Sequence, residues 1–336
     1  MNSINFCKNK DIKDLKYFIK KNWQDDHILC SDSKILEFQH KGKEKYNFVI
    51  SRNEKNIIDG VLGFIPNNHF DQQLNKANLI WLALWKVDEE LASPGLGLSL
   101  LKYLENETNP DIICVVGLNK DVKKIYEVLG YHTDKMNHFY FLNNACQSYK
   151  IIKNFPENIN NNSHLNDLKN ISLKEIDFDD IDEDLFESLE YKSRSYFFNR
   201  YALHPVYNYL VLGIFHNKKI EVVFIARKVD TADSSCLRII DIIGNIKCEM
   251  NLSGVLSNLL VNYNCEYIDC LNSGIEEKYF KELGFSLKNN QTIIPEYFEP
   301  FVRKNIDIYL AYRPKINNFI IYKGDGDQDR PNEIRN

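Results

Sequence analysis

The sequence predicts an α/β (α+β) chain made of two tandem domains, each with a sheet flanked by helices. Two observations carry this prediction. Residues 11–142 show the order helix, hairpin, strand, glycine-rich turn, helix, strand, helix and strand, and most of that order recurs after residue 171. The length of 336 residues also suits two domains better than a single core.

We place the first domain at residues 1–150, a linker at residues 151–170 and the second domain at residues 171–336. The linker prediction rests on composition, because residues 154–170 are crowded with asparagine and poor in large apolar side chains. Runs of asparagine favour turns over packed elements. The sequence therefore predicts two packed units with a polar connection.

The first domain opens with a predicted helix at residues 11–22, whose apolar side chains share one face: Ile12, Leu15, Phe18 and Ile19. Residues 46–52 and 57–65 follow as neighbouring strands around a polar turn. Residues 138–142 are expected to form the last strand of this domain. The chain between the hairpin and that strand carries the residues that indicate function.

Residues 79–85 form an apolar run rich in aromatic side chains, which predicts a buried strand. After an acidic break, Gly95 and Gly97 lie where a helical pattern begins at Leu96. The first N–H groups of a helix have no intrahelical partner, and the helix dipole is positive there. The turn therefore predicts an anion site, and a pyrophosphate is the usual occupant.

A second strand is predicted at residues 111–117. Asn119 follows it, and seven residues later Tyr126 lies on a predicted helix that ends at the pair Gly130 and Tyr131. The two glycines of the earlier turn are weak evidence alone, since glycine also serves simply to make turns. Their combination with this second group of residues is more specific.

The segment 85–97 resembles motif A of the GNAT acyltransferases, in which an apolar-x-Val sequence precedes a loop Arg/Gln-x-x-Gly-x-Gly/Ala. Val87 supplies the valine, and residues 92–97 occupy the loop. The asparagine, tyrosine and Gly-aromatic pair further along resemble the next motif of that superfamily. One departure is Ala92, which stands where the Arg or Gln usually opens the loop.

The GNAT resemblance implies domains with a mixed, mostly antiparallel sheet, an acyl-CoA co-substrate and N-acyl transfer without a metal. It implies that the strand end and the loop hold the pantetheine and the pyrophosphate, through Trp85, Val87, Ser93, Gly95, Leu96, Gly97 and Asn119. It also implies that Tyr126 is the general acid for the leaving thiolate. The alternative for Tyr126 is a core tyrosine on an amphipathic helix.

The general base is less defined by the sequence. Asp88, Glu89 and Glu90 follow the strand, but three consecutive acids are commonly a solvated loop. His69 lies in a polar segment, and an imidazole titrates near neutral pH. We name His69 as the candidate catalytic base and keep open that water or the departing sulfur takes the proton.

The second domain repeats the order of the first with altered turn residues. A hairpin is predicted at residues 209–228, a strand at 237–243, a helix at 252–261 and a strand at 267–271. Residues 276–285, EEKYFKELGF, look like KKIYEVLGY of the first domain. The turn after Gly244 lacks the second glycine, so this domain is expected not to bind acyl-CoA and instead to shape an acceptor site.

Two further segments are candidates for acceptor binding. Residues 194–209 alternate aromatic side chains with Arg200 and His204, which suits stacking on a base and pairing with phosphate. The tail KGDGDQDRPN carries acidic and basic candidates, namely Asp325, Asp327 and Arg330. The alternatives are a helix with core aromatics and a frayed, solvated tail.

Taken over its whole length, the chain resembles tandem N-acyltransferases that modify nucleotide-linked amino sugars for surface polysaccharides. This implies a dTDP- or UDP-linked amino-dideoxyhexose as acceptor and acetyl-CoA or a short-chain hydroxyacyl-CoA as donor. Two rival hypotheses are a GNAT that acylates a peptide or protein amine and a catalytically silent acyl-CoA-binding module.

Composition limits the partners and the compartment. With 44% hydrophobic and 26% charged residues and a net charge of -5, the chain has no basic footprint for nucleic acid. The N-terminus lacks a signal-peptide core and no apolar stretch would span a bilayer, so a cytoplasmic location without a membrane partner is expected. The eight cysteines show no CxxC pair, which predicts reduced thiols rather than zinc or disulfides. A homodimer is left open.

Overall fold

The computed structural model describes residues 3–74, 78–155, 170–187, 189–247, 250–317 and 319–332. Within these residues the chain forms two mixed β-sheets with helices against them. The strands are β1 Ser3–Phe6, β2 Phe48–Arg52, β3 Ile58–Pro66, β4 Leu79–Val87, β5 Ile112–Leu118, β6 His132–Lys135, β7 Asn137–Leu142, β8 Ile171–Glu175, β9 Leu210–His216, β10 Lys219–Asp230, β11 Ser235–Gly244, β12 Tyr267–Ser273, β13 Ser286–Leu287, β14 Tyr309–Arg313 and β15 Ile321–Tyr322.

The helices that the structure describes range from four residues to the 13 residues of Leu96–Thr108. They are α1 Ile12–Asn22, α2 Ile28–Ser31, α3 Ser33–His40, α4 Leu96–Thr108, α5 Lys123–Val128, α6 Asp184–Glu187, α7 Arg194–Phe197, α8 Ser253–Tyr263 and α9 Glu277–Glu282. A π-helical turn at Phe198–Ala202 continues α7. Most elements therefore form where the sequence patterns place them.

The first sheet has the strand order β1-β2-β3-β4-β5-β14-β6, and the second has the order β13-β7-β12-β11-β10-β9-β8 with β15 added on β12. In each sheet one pair is parallel, β4 with β5 and β11 with β12, and the other described pairs are antiparallel. Each parallel pair is joined through a crossover helix, α4 or α8. The duplication inferred from sequence thus corresponds to two sheets of the same plan.

The two halves exchange a strand. The strand expected to close the first domain forms as β7, but it pairs with β12 and β13 in the second sheet. In return, β14 from the C-terminal half lies between β5 and β6 of the first sheet. Residues 156–169, which make up most of the predicted linker, lie outside the described residues.

Helix α4 packs on the first sheet through the apolar side that the sequence indicated. Leu96, Leu100, Leu101 and Leu104 are buried. At Gly60 of β3 a Cβ would lie only 3.0 Å from Leu96 and 3.1 Å from Leu100, so glycine allows this close approach. The contact fixes the start of α4 beside the end of β4.

The largest apolar cluster lies between the two sheets. It joins Trp81 of β4 and Leu310 of β14 to Ile240 of β11 and Ile321 of β15. Burial of this surface, at roughly 25 cal/mol per Å², is what holds the halves together. In the part of the chain that the structure describes, no helix is long and apolar enough to cross a membrane.

Candidate active site

The parallel strands β4 and β5 separate at their carboxyl ends. Their paired register runs from Leu79 with Ile112 to Leu82 with Val115 and then ends, although both strands continue. A β-bulge lies at the same level, because β4 has one more residue than β3 in the stretch between Leu82 and Trp85. A bulge bends its strand, so we infer that the two strands diverge beyond this level and leave a cleft between them.

The N-terminus of α4 borders this cleft and has no side-chain cap among the described residues. Gly95 precedes it in the left-handed conformation, with φ of 82°, and nothing lies within 4 Å of where its Cβ would be. The amide of Ser99 is the first to bond within the helix, to the carbonyl of Gly95. The N–H groups of Gly97 and Leu98 therefore have no intrahelical acceptor and can receive an anion.

Trp85 and Tyr126 lie at the side of the cleft nearest the helices. A Cβ on Gly97 would be 3.4 Å from the indole nitrogen of Trp85, and the indole meets the Tyr126 ring edge-on at 6.0 Å. Burial raises the pKa of Tyr126, and Tyr131 adds to the effect. The Tyr126 phenol is therefore protonated at neutral pH and has a proton to donate.

The other predicted donor-site residues lie around the same opening. Val87 is half-buried at the end of β4, and Ser93 is exposed, with its carbonyl accepting from the amide of Leu96 at 3.1 Å. Asn119 follows β5, and its side chain accepts from the amide of Asp121 at 3.1 Å. The side chain of Asn119 is thus used to cap the next turn.

The acids after β4 are engaged with neighbouring groups. Asp88 is 2% exposed and accepts from the Lys21 ammonium at 2.9 Å and from the amides of Glu90 and Leu91. Burial raises its pKa, but the hydrogen bond from Lys21 and the two amides outweigh it, so the pKa is lowered. Exposed Glu89 pairs with Lys86. We assign the role of base to neither acid.

His69 also has both ring nitrogens occupied. Its Nε2 lies 2.8 Å from the carbonyl of Phe38, to which it donates, and its Nδ1 accepts from the side-chain Nδ2 of Asn47 at 3.2 Å. Burial lowers the pKa of His69, so the ring is neutral. In this arrangement the imidazole has no lone pair left for an acceptor amine, and a catalytic role for His69 stays a prediction.

The acidic tail runs through the interior between the two sheets. Asp325 is fully buried and lies 2.9 Å from Lys192. Arg200 donates to the carbonyls of Gly324 and Gly326, the latter at 2.7 Å. Arg200 therefore holds the tail in place. The sequence had suggested instead that this guanidinium pairs with a phosphate.

The remaining tail and aromatic-segment candidates are partly buried. Asp327 and Arg330 pair with each other at 3.1 Å. The Nδ1 of His204 accepts from the amides of Val206 and Tyr207, and burial lowers its pKa to about 4. His204 is therefore neutral at pH 7. Substrate binding by these residues stays a prediction.

Sequence reasoning missed one contact at the mouth of the cleft. Gly117 on β5 lies two residues beyond the last pair with β4, and its φ is 82°. A Cβ at this position would overlap the carboxamide of Gln328. The tail therefore reaches the open end of β5. No local pattern pairs a glycine with a glutamine more than 200 residues away.

The second sheet has the same divergence, but its gap is filled. The pairs between β11 and β12 end at Ile239 and Cys270, and a bulge follows at Ile240. Segment β15 enters here, with the amide of Gly324 donating to Ile240 and the amide of Lys323 donating to Leu271. The N-cap residue of α8, Leu252, supplies no side-chain cap, but the Asn251 side chain before it accepts from the amide of Ser253. Among the described residues, the gap between β11 and β12 is thus occupied by the chain itself.

Comparisons with known proteins give a fold and no closer relative. No protein-family model matches the sequence, and no curated protein matches it. A GCN5-related N-acetyltransferase from Anabaena variabilis is similar in structure, with a TM-score of 0.57 and 12% identity over 93% of this chain and 72% of that one. An Enterococcus faecalis protein described as a probable N-acyltransferase gives 0.53 and 8%, with the same coverage.

A third similar structure is the GCN5-related glucosamine N-acetyltransferase region of a fungal multi-domain GH3 beta-N-acetylglucosaminidase. It gives a TM-score of 0.54 and 12% identity over 93% of this chain and 38% of that one. These likenesses confirm the predicted fold class, two GNAT-like units with mixed sheets flanked by helices. At such low identities they establish the fold alone.

Proposed function

We propose that the chain is an acyl-CoA-dependent N-acyltransferase whose first half binds the donor. The observation that carries this proposal is the meeting of two features at one point. The cleft between β4 and β5 opens beside the uncapped start of α4, where the amides of Gly97 and Leu98 are available. An extended thiol ester with a pyrophosphate needs both a slot and an anion site.

The donor side can be assigned residue by residue. The turn at Gly95 and Leu96 would place the pyrophosphate at the free backbone N–H groups of Gly97 and Leu98, and Val87 would border the pantetheine arm. Bound acyl-CoA supplies a thioester carbonyl that an amine can attack. Trp85, which contacts the first turn of α4, would limit how wide the arm's path can be.

Acyl transfer forms a C–N bond and breaks a C–S bond. The attacking amine must be neutral, and it loses its proton to water during the transfer. Tyr126, whose phenol is protonated at neutral pH, donates its O–H proton to the departing sulfur and afterwards regains a proton from water. Because Asp88 and His69 are engaged, no dedicated base is assigned.

We propose as acceptor the amino group of a nucleotide-linked amino-dideoxy sugar. The support is the resemblance of the whole chain to tandem amino-sugar N-acyltransferases and the presence of a glucosamine N-acetyltransferase region among the similar folds. The tail residues Asp327, Gln328 and Arg330 are only partly buried, and Gln328 borders the cleft mouth. They are available to an acceptor at this end of β5.

Calorimetric titration of the full chain with acetyl-CoA, followed by dTDP and UDP in its presence, tests both parts. We expect acetyl-CoA to bind at one site per chain and one nucleotide to bind to the complex. Acetyl-CoA binding without a nucleotide response would remove the nucleotide-sugar acceptor and favour a peptide acyltransferase or a sensor. Absence of acetyl-CoA binding would remove the proposal.

A further inference from the structure

A cavity of about 300 Å³ lies between the two halves and is separate from the cleft between β4 and β5. Trp81 and Leu79 of β4 form one wall, and the ends of β11 and β12 form another. Small-molecule sites in proteins begin at about this volume, and in sheets of this kind they lie beyond the carboxyl ends of strands. The cavity therefore has the size and position of a ligand site in the second half.

Aromatic side chains make up much of its lining: Trp81, Tyr191, Tyr196, Tyr279, Phe319 and Tyr322. Trp81 and Phe319 are nearly parallel, at 13°, with their centroids 6.4 Å apart. Tyr191 and Tyr279 are half-buried and so present surface to a ligand. Faces of this kind bind flat ligand surfaces with C–H or π character.

Charged groups of both signs surround these rings. Of the four lining carboxylates, Asp241 and Asp325 are fully buried against Lys192, at 2.8 and 2.9 Å. At the rim Glu276 pairs with Lys278 at 2.9 Å, while Glu190 and Lys247 also border the opening. Among the described residues the lining cations are Lys192 and Lys247, so the lining carboxylates outnumber them.

The excess of carboxylates argues against an anionic ligand and is compatible with a neutral ligand or one that carries an amino group. A nucleoside diphosphate would need cations without partners, and among the described residues here Lys192, Lys278 and Arg200 already contact carboxylates or carbonyls. An alkyl chain would make no use of the polar rim groups Asn245, Glu190 and Glu276, which are exposed.

We propose that this cavity binds a sugar ring. A sugar presents C–H faces to the tyrosine rings and hydroxyl groups to mixed donors and acceptors. Glu190, Glu276 and Asn245 accept from hydroxyls, and Lys247 donates to them. The inference goes beyond acyl transfer, because it concerns binding in the second half. An acceptor amino sugar and an N-acylated sugar share this chemistry.

Saturation-transfer-difference NMR on the full chain tests the proposal with D-glucosamine, N-acetyl-D-glucosamine, spermidine and dTDP as separate probes. We expect signals from the ring protons of at least one sugar. The substitution Tyr279→Ala should weaken the binding of that sugar about fivefold, because an aromatic contact is lost. The substitution Glu276→Gln changes an exposed side chain and leaves folding intact, and it should weaken sugar binding as well.

Glu277→Gln is the matched control, since Glu277 is the next residue and pairs with Lys281 outside the cavity. It should leave the sugar signals unchanged. A signal from glucosamine alone would indicate that the cavity binds the acceptor sugar. A signal from N-acetylglucosamine alone would indicate that it binds an acylated sugar. Sugar signals that persist in both cavity variants, or signals only from spermidine or dTDP, would overturn the proposal.

Acetyl-CoA binding is measured on the same samples. In the unsubstituted chain, absence of any sugar signal while acetyl-CoA binds would refute the cavity proposal alone. A sugar signal without acetyl-CoA binding would refute the proposed donor site and leave the sugar site standing.

Discussion

The two halves share one arrangement of strands and differ in what occupies the gap between the diverging parallel pair. In both, a parallel strand pair ends at a bulge and the strands diverge. In the first half the gap opens beside the start of α4, whereas in the second half β15 occupies the gap. The first amide of each helix has an acceptor, the Ser93 carbonyl for α4 and the Asn251 side chain for α8. The comparison teaches that a duplicated cleft can be closed by the chain itself without changing the fold.

The closure of the second gap involves few groups. Two backbone hydrogen bonds bring the tail to β11 and β12, and Arg200 and Lys192 fix the segment beyond them. A hydrogen bond such as that from the amide of Ser253 to Asn251 contributes about 1 kcal/mol. At the start of α4 the amide of Leu96 bonds the Ser93 carbonyl, and the amides of Gly97 and Leu98 are left for an anionic ligand.

Acid should weaken the first half, because α2 and α3 cover its sheet with buried histidines. Burial lowers the pKa of His27 and of His40 to about 3, and Arg330 acts in the same direction. These rings stay neutral in the folded chain at pH 5 but are protonated when unfolded. Stability is therefore full above pH 6.5 and falls as the pH drops towards 3.

For each of these two histidines the loss between pH 7 and pH 5 is about 2 kcal/mol. Urea unfolding followed by tryptophan fluorescence at both pH values measures it, and Trp23, Trp81 and Trp85 all lie in the first half. An unchanged midpoint would show that the imidazoles are hydrated in the folded chain, and the contrast between the halves would weaken.

Replacement of Tyr126→Phe tests whether the first cleft is catalytic as well as open. Loss of the proton donor should lower kcat about 100-fold and leave the Kd for acetyl-CoA unchanged. Release of CoA in steady-state assays gives kcat, and calorimetry gives Kd. Tyr131→Phe is the control, since its ring contacts Tyr126 at 5.1 Å but would not donate the proton. Equal losses in both variants would indicate a packing role.

Gly95→Val tests the anion site that the second half lacks. A β-branched residue is strained at φ of 82°, and the turn must shift, so acetyl-CoA affinity should fall about 30-fold. Gly130→Val carries the same strain at φ of 83° with only Arg313 near its Cβ, and it should keep affinity within about threefold. Titration calorimetry on both variants distinguishes strain from lost contacts.

The sequence was sufficient for the elements and for the location of the first cleft. Strand β4, the glycine turn and α4 follow from an apolar run, two glycines and a leucine repeat, which are local signals. The exchange of β7 and β14 was not predictable in this way. Both are short apolar strands, and nothing in residues 137–142 specifies which sheet supplies the partner.

The candidate acceptor side was harder to predict for the same reason. Arg200 lies among aromatic residues in the sequence, which suggested a phosphate site, but its guanidinium binds the carbonyls of Gly324 and Gly326. The contact of Gln328 with Gly117 depends on the path of the tail through the interior. Charge type is visible in a sequence, whereas the partner of a charge depends on tertiary structure.

Gly324→Ala tests whether the tail is a built part of the second half. An added methyl group would overlap Tyr201 and lie 2.8 Å from the carbonyl of Ile240, so the free energy of unfolding should fall by about 2 kcal/mol. Acetyl-CoA should still bind at one site per chain. A second acetyl-CoA site in this variant would mean that β15 alone blocks the second gap.

The smallest effect is expected from Asn251→Ala, which removes the side-chain cap of the Ser253 amide at the start of α8. The amide of Ser253 loses its acceptor, and unfolding in urea should show a loss of about 1 kcal/mol. Acetyl-CoA stoichiometry should stay at one per chain, because β15 still fills the gap between β11 and β12. If the stoichiometry rose to two, the cap rather than the tail would be what distinguishes the halves. Combining Asn251→Ala with Gly324→Ala then separates the two causes, since a second site that needs both changes would show that cap and tail each close the second half.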